Sequence, residues 1–293
     1  MIDVIPPVCA PADPNPRRPN FAMPAGTCDC HFHVFGPAAQ YSLAAGRAYT
    51  PPDASVAAYR KLASTLGIER AVIVQPSVYG LDNSRTLSAM QELGLPVRAV
   101  VVIDDTISDE ELLDLHAKGV RGVRVNLIFG GIAQATAERM AERIRDLGWH
   151  LQILANVATI PALRRWVAGL GLPVVFDHFG HAPTSAGVES PGFQALIDLV
   201  TDGLAWVKIS APYRISGLPN VPYQDVDPFA MALIKANPSR LLWGTDWPHP
   251  SIKQAVPNDG DLADLLLQWM PDISLAKLVL VDNPAALYGF GAI

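Results

Sequence analysis

Eight short apolar runs, most of them rich in Val, Ile and Leu, recur along this 293-residue chain, and a helix-length segment with a 3.6-residue apolar period follows nearly every one. The runs are Cys28–Phe35, Ala71–Gln75, Ala99–Ile103, Gly122–Asn126, His150–Leu154, Val174–His178, Trp206–Ser210 and Leu241–Thr245. Helical patterns occupy Ala54–Leu66, Ser84–Leu93, Asp109–Lys118, Ala135–Leu147, Ile160–Leu170, Phe193–Thr201 and Pro228–Ala236, with two or three more helices after Asp259. Runs this continuous are buried on both faces, as strands of a parallel sheet are. Strand–helix alternation at this regularity builds βα units, and eight of them close into a (β/α)8 TIM barrel of the α/β class. No internal repeat or linker divides residues 26–293, so a single barrel domain is expected there. Residues 1–25 are Pro-rich and aperiodic and read as an extended arm lying on the barrel or on a neighbouring subunit.

Composition removes several roles. The net charge is −6 and the basic residues are scattered, which disfavours a nucleic-acid surface. The longest apolar runs are strand-sized, so no membrane span is expected. The segment Met1–Pro7 lacks the basic and long apolar regions of a secretory signal, so the expected location is cytoplasmic. Three cysteines, Cys9, Cys28 and Cys30, are too few and odd in number for a disulfide framework. Cys28 and Cys30 read as buried strand thiols on the face opposite His31, since their spacing is too tight for a zinc pair.

In such a barrel, chemistry sits where strands end and βα-loops begin. His31 and His33 share one strand face just before the Gly36-Pro37 breaker. His178 closes the sixth run before Gly180, and Asp246 follows the eighth run in Trp243-Gly244-Thr245-Asp246-Trp247-Pro248. Each has a structural alternative: a histidine bonded to backbone, or an aspartate capping a turn. Together, three imidazoles and one carboxylate at one mouth can work in two ways. They can hold a mononuclear divalent metal such as zinc, or the imidazoles can polarise a carbonyl directly while Asp246 takes the water proton. Arg124 and Arg214 are candidate carboxylate clamps, with a structural ion pair as the alternative. Lys208, at the end of the seventh run, can bind an anion or steady the barrel.

The segments HFHVFGP, RGVRVN, FDHFG and WGTDWPHP, in that order, resemble the amidohydrolase superfamily, and most closely its 2-pyrone-4,6-dicarboxylate lactonase group. The resemblance runs from about Pro24 to Phe290. It implies a lactone-opening site in which Tyr49, Ser77 and His249 join Arg124 and Arg214 as substrate contacts. It also implies work without a required metal, and the fourth and fifth runs offer no Lys, His or Glu at their C-terminal ends to bridge a binuclear centre, His150 standing at the wrong end of its run. One departure stands out. Where pyrone-dicarboxylate members carry a basic loop, this chain has Leu127-Ile128-Phe129-Gly130-Gly131. That loop resembles the sugar-lactone, galactarolactone isomerase branch, although His31 and His33 are kept.

The expectation is therefore a hydrolase of a lactone with one carboxylate, not a strict pyrone-dicarboxylate enzyme, with Asp246 as base and His31, His33 and His178 as carbonyl partners. No cofactor is the leading expectation, and a single metal on His31, His33, His178 and Asp246 is the alternative. Lactone isomerisation, decarboxylation, or binding of a small acid without turnover are the rival readings. A homo-oligomer remains compatible with the sequence.

Overall fold

The computed structural model describes residues 6–128, 133–252 and 255–291. The expected loop segment Phe129-Gly130-Gly131 lies outside the described residues. Eight strands, β1 Cys28–Phe32, β2 Arg70–Val74, β3 Val97–Val101, β4 Val120–Asn126, β5 His150–Leu154, β6 Val174–Phe176, β7 Ala205–Lys208 and β8 Leu241–Leu242, pair in sequence order. Every adjacent pair from β1–β2 to β7–β8 is parallel. The helices are α1 Val56–Leu66, α2 Ser84–Glu92, α3 Asp109–Ala117, α4 Gln134–Ile144, α5 Leu163–Leu170, α6 Pro191–Thr201, α7 Asp227–Ala236, α8 Asp259–Trp269, α9 Ile273–Lys277 and α10 Asn283–Tyr288. The architecture is a (β/α)8 barrel. Among the described residues, no helix is long and apolar enough to cross a membrane.

The seam between β8 and β1 is closed by single contacts instead of a ladder. Cys30 N donates to Trp243 O, Asp246 N to His31 O and His33 N to Trp247 O, at 2.9, 2.7 and 2.8 Å. Asp29 staples the same seam from the buried side. Its carboxylate accepts from the backbone N–H of His31 and Thr245 and from the hydroxyls of Thr245 and Tyr59.

Side-chain parity along β1 differs from simple alternation. Asp29 faces Ala71 and Phe32 faces Ile73, so β1 carries one extra residue and forms a bulge. Phe32 points out and stacks on Tyr59 of α1 at 3.7 Å. Cys28 and Cys30 pack with Val72, Val74, Val100, Val175, Leu242, Tyr288 and Phe290, which fill the barrel floor. The thiols therefore share the interior with His31 instead of facing away from it. The bulge, which no alternation pattern reveals, is the reason. The main apolar core lies between the strands and the helix ring.

The N-terminal segment lies on its own barrel. Val8 bridges Thr50, Cys9 Sγ accepts from Ser251 N at 3.2 Å, and Arg17 reaches the first turns of α8 through Asp261 and Asp264.

Candidate active site

Strand ends aim the four predicted residues at one point. His31 ends the interior face of β1 beyond the bulge, and His33 follows β1. His178 and Asp246 sit two and four residues past the ends of β6 and β8, with φ of +47° and +60°. Left-handed backbone costs a non-glycine residue free energy, roughly 1–3 kcal/mol, and the surrounding bonds must hold it. The rings of His33 and His178 lie 5.0 and 4.6 Å from the ring of His31. All four side chains are essentially buried.

The three Nε2 atoms surround one carboxylate oxygen. Asp246 Oδ1 lies 3.7 Å from His31, 3.9 Å from His33 and 3.5 Å from His178. Each imidazole is fixed from behind through Nδ1. His33 Nδ1 meets Val74 O at 2.7 Å, His178 Nδ1 meets Ser210 Oγ at 2.9 Å, and His31 Nδ1 lies 3.1 Å from Lys208 Nζ and 3.2 Å from Asp177 Oδ1. A carbonyl only accepts, so His33 Nδ1 carries the proton and its Nε2 presents a lone pair. Burial drives all three imidazoles toward the neutral form, His31 to a pKa of about 4 and His33 and His178 well below their usual range.

Asp246 Oδ2 has a different set of neighbours. It accepts from Tyr213 OH at 2.6 Å and Arg214 Nε at 2.7 Å, with Arg214 Nη2 at 2.5 Å. Burial by itself raises the Asp246 carboxyl; the Arg214 guanidinium is the largest opposing influence and holds the group ionised. Beneath lies a second buried carboxylate that sequence reading did not single out. Asp177 lies 3.2 Å from Lys208 Nζ, accepts from Gln152 Nε2 at 3.1 Å and approaches Arg124 Nη2 at 3.5 Å. Burial opposes its charge, but the Lys208 ammonium keeps it anionic.

The cleft above is lined by His33, Tyr49, Ser77, Arg124, Leu154, His178, His181, Arg214, Pro250 and Ser251. Tyr49, Ser77, Arg124 and Arg214 thus stand where substrate contacts were expected. His249 does not. It is fully buried behind Asp246, with Nδ1 2.9 Å from Tyr213 OH and Nε2 3.2 Å from Asp259 Oδ1. Its reassignment follows from the tight turn in which His249 N donates to Asp246 O, which swings the side chain behind the carboxylate. His181, unremarked in the sequence, faces the cleft with a buried, unpartnered Nε2. Its signal was available: it follows His178 by three residues in a segment already marked as a strand end. Tyr213 gave no such signal, because it ends no apolar run, and Asp177 is overshadowed by His178 beside it.

The donor set fits a metal ion. His31, His33 and Asp246 offer ligand atoms within 4.8 Å of one another, as do His31, Asp177 and His178. Among the described residues, His31 Nε2 and Asp246 Oδ1 are buried without a hydrogen-bond partner. Ligand atoms on a tetrahedral zinc with bonds of about 2.0–2.2 Å stand roughly 3.3–3.6 Å apart, close to the spacing around Oδ1.

The sequence matches the amidohydrolase family model over residues 28–290. It is 42% identical over 276 residues to the 4-sulfomuconolactone hydrolase of Rhizobium radiobacter, covering 92% of each chain. It is 39% identical over 286 residues to the 2-pyrone-4,6-dicarboxylate hydrolase of Comamonas testosteroni, covering 94% of this chain and 93% of that one. A D-galactarolactone isomerase of Agrobacterium fabrum is 32% identical over 283 residues, covering 92% and 93%.

Proposed function

The chain belongs to the amidohydrolase family, and on that footing we propose that it hydrolyses a lactone bearing a carboxylate or similar acidic group. The observation that carries this reading is Asp246 Oδ1. It is ionised, buried and unpartnered, it is ringed by three imidazole Nε2 atoms at 3.5–3.9 Å, and it sits beneath a cleft with two guanidiniums. Relatives at 42% and 39% identity are named for opening lactones, and the isomerase is more distant.

Arg124 is the principal clamp for the substrate's acidic group. Its Nε is buried and unpartnered and its side chain lines the cleft. Arg214 flanks the cleft but spends Nε and Nη2 on Asp246, so it acts first as the partner of the base. Tyr49 and Ser77 border the same cleft. A water at Asp246 Oδ1 gives its proton to that oxygen as it attacks the lactone carbonyl carbon. The acyl carbon–ring oxygen bond then breaks, and the proton held by Asp246 passes to the departing ring oxygen. The products are one hydroxyl and one new carboxylic acid, which gives its remaining proton to solvent and leaves as the carboxylate.

We propose also that His31, His33 and Asp246, with His178 alongside, hold one divalent ion. This reverses the order of preference that the sequence suggests. The reason is the tautomer of His33, whose outward Nε2 has a lone pair to give and no proton to donate to an oxyanion. When bound, such an ion supplies Lewis-acid polarisation of the carbonyl and acidifies water.

Replacing Asp246 tests the base directly. Asp246→Asn is expected to keep the fold and lose about 10²–10⁴-fold in turnover of 4-sulfomuconolactone. Near-normal hydrolysis by the folded variant removes the base role.

A further inference from the structure

Behind Asp246 runs a buried chain of side chains that the hydrolytic steps do not use. We propose that Asp259, His249 and Tyr213 form a positioning relay that fixes Asp246 through Oδ2 and leaves Oδ1 for chemistry. The inference rests on the lactone-hydrolase reading for its kinetic part only.

Hydrogen-bond bookkeeping sets the direction of the chain. Tyr213 has one hydroxyl proton, and its oxygen lies 2.6 Å from Asp246 Oδ2 and 2.9 Å from His249 Nδ1. The carboxylate can only accept, so the proton goes to Asp246. The phenol oxygen then accepts, and His249 Nδ1 must carry hydrogen. His249 Nε2 lies 3.2 Å from Asp259 Oδ1, and both groups are buried, at 0% and 2% exposure. Among the described residues neither atom forms a hydrogen bond, so the Asp259 carboxylate faces the far edge of the ring at ion-pair distance. His249 thereby orients Tyr213, Tyr213 orients Asp246, and Asp259 backs the ring.

The backbone gives the relay something to oppose. Asp246 and His249 both have φ of +60°, and His249 N donates to Asp246 O at 2.7 Å. A tight, left-handed turn presents the base, and without side-chain ties its carboxylate could rotate about the side-chain torsions. Arg214 supplies a second tie to Oδ2, but it lines the cleft and is shared with Pro250 O at 3.2 Å. Tyr213 and His249 restrain Oδ2 from the protein interior. Asp259 is the first residue of α8, so the relay is anchored to a helix and not to a loop.

Three variants and one spectrum test it. With 4-sulfomuconolactone as substrate, Tyr213→Phe and His249→Leu each lower kcat by about 10–100-fold, the range for groups that orient a reacting residue, while KM changes less than about threefold. The double variant is no worse than Tyr213→Phe, because His249 acts through Tyr213. His249→Asn, which can keep a donor at the Nδ1 position, recovers most of the loss. A rise in KM at unchanged kcat, an additive double variant, or an unaffected Tyr213→Phe overturns the relay. The second arm needs no substrate. In protein labelled with heavy nitrogen at histidine, His249 Nδ1 is expected to show a directly bonded, exchange-protected proton that is lost in His249→Leu. An unprotonated Nδ1 in the wild type overturns the relay even if the lactone reading holds. A protonated Nδ1 in a protein that turns over no lactone leaves the relay standing and removes the functional reading.

Discussion

The two oxygens of Asp246 meet different surroundings: Oδ2 accepts from Tyr213 and Arg214, and Oδ1 faces the three imidazole Nε2 atoms. That asymmetry makes the residue suitable as both ligand and base, and it implies a metal effect. Dialysis against a strong chelator is expected to lower lactone turnover, and adding back zinc or manganese to restore it. Full activity in protein shown by elemental analysis to be metal-free would favour direct carbonyl polarisation. Below the site, Lys208 and Asp177 are both 0% exposed and 3.2 Å apart. Asp177→Asn strands the ammonium and should cost about 3–5 kcal/mol in denaturant unfolding. Adding Lys208→Met should recover much of that loss; a single variant as stable as wild type would show that the pair is not mutually dependent. His31, His33, His178 and Asp246 were legible in the sequence because each stands at the end of an apolar run near a Gly or Pro breaker. Asp177 is masked by its neighbour His178, and Tyr213 and His249 act through contacts that no spacing encodes.

Secondary-structure elements show where alternation suffices and where it fails. β5 spans the residues the apolar run marks, and α3 begins with a capping box between Ser108 and Glu111, a signal written in sequence. β8 is only two residues long because Trp243 to Trp247 bond to β1 singly and swing away to present Asp246. The bulge in β1 has the same origin: it brings Cys30 and His31 to one interior. Gly244 lies at this seam, and a Cβ there would stand 2.7 Å from His31 N and 3.1 Å from Asp29 Oδ1. Gly244→Ala is therefore expected to lose about 1–3 kcal/mol of stability and to displace His31, lowering turnover in the fraction that folds. A variant with wild-type stability and activity would mean the seam is more compliant than its contacts indicate.

At the scale of the whole molecule, burial drives His31, His150 and His181 toward the neutral state. His150 on the barrel floor has no hydrogen-bond partner on either ring nitrogen, packs against Tyr288, and is driven by burial to a pKa of about 3. His31 and His181 are driven by burial to about 4 and about 3. An unfolded histidine takes up its proton near pH 6.5, whereas these do not until pH 4 or 3. Their contribution to stability is thus complete above pH 6.5 and is lost progressively as pH falls toward 3. Denaturant midpoints should fall between pH 7 and 5, and His150→Gln should reduce that slope by about one proton, or about 1.4 kcal/mol per pH unit. An unchanged slope would place the proton uptake elsewhere. The fold class was readable from eight alternating runs, because parallel strands buried on both faces leave little else to build. The register at the seam and the buried ion pairs were not, because they depend on residues far apart in sequence that meet only after closure.

Hydrolysis itself is the central claim, and the fate of the water oxygen tests it most directly. Wild-type protein would be incubated with 4-sulfomuconolactone and, separately, 2-pyrone-4,6-dicarboxylate in water enriched in heavy oxygen, and the products weighed by mass spectrometry. The account predicts a ring-opened product, heavier than the lactone by one water, with a single heavy oxygen in its new carboxylate. A product of unchanged mass and without label, as isomerisation gives, would contradict it.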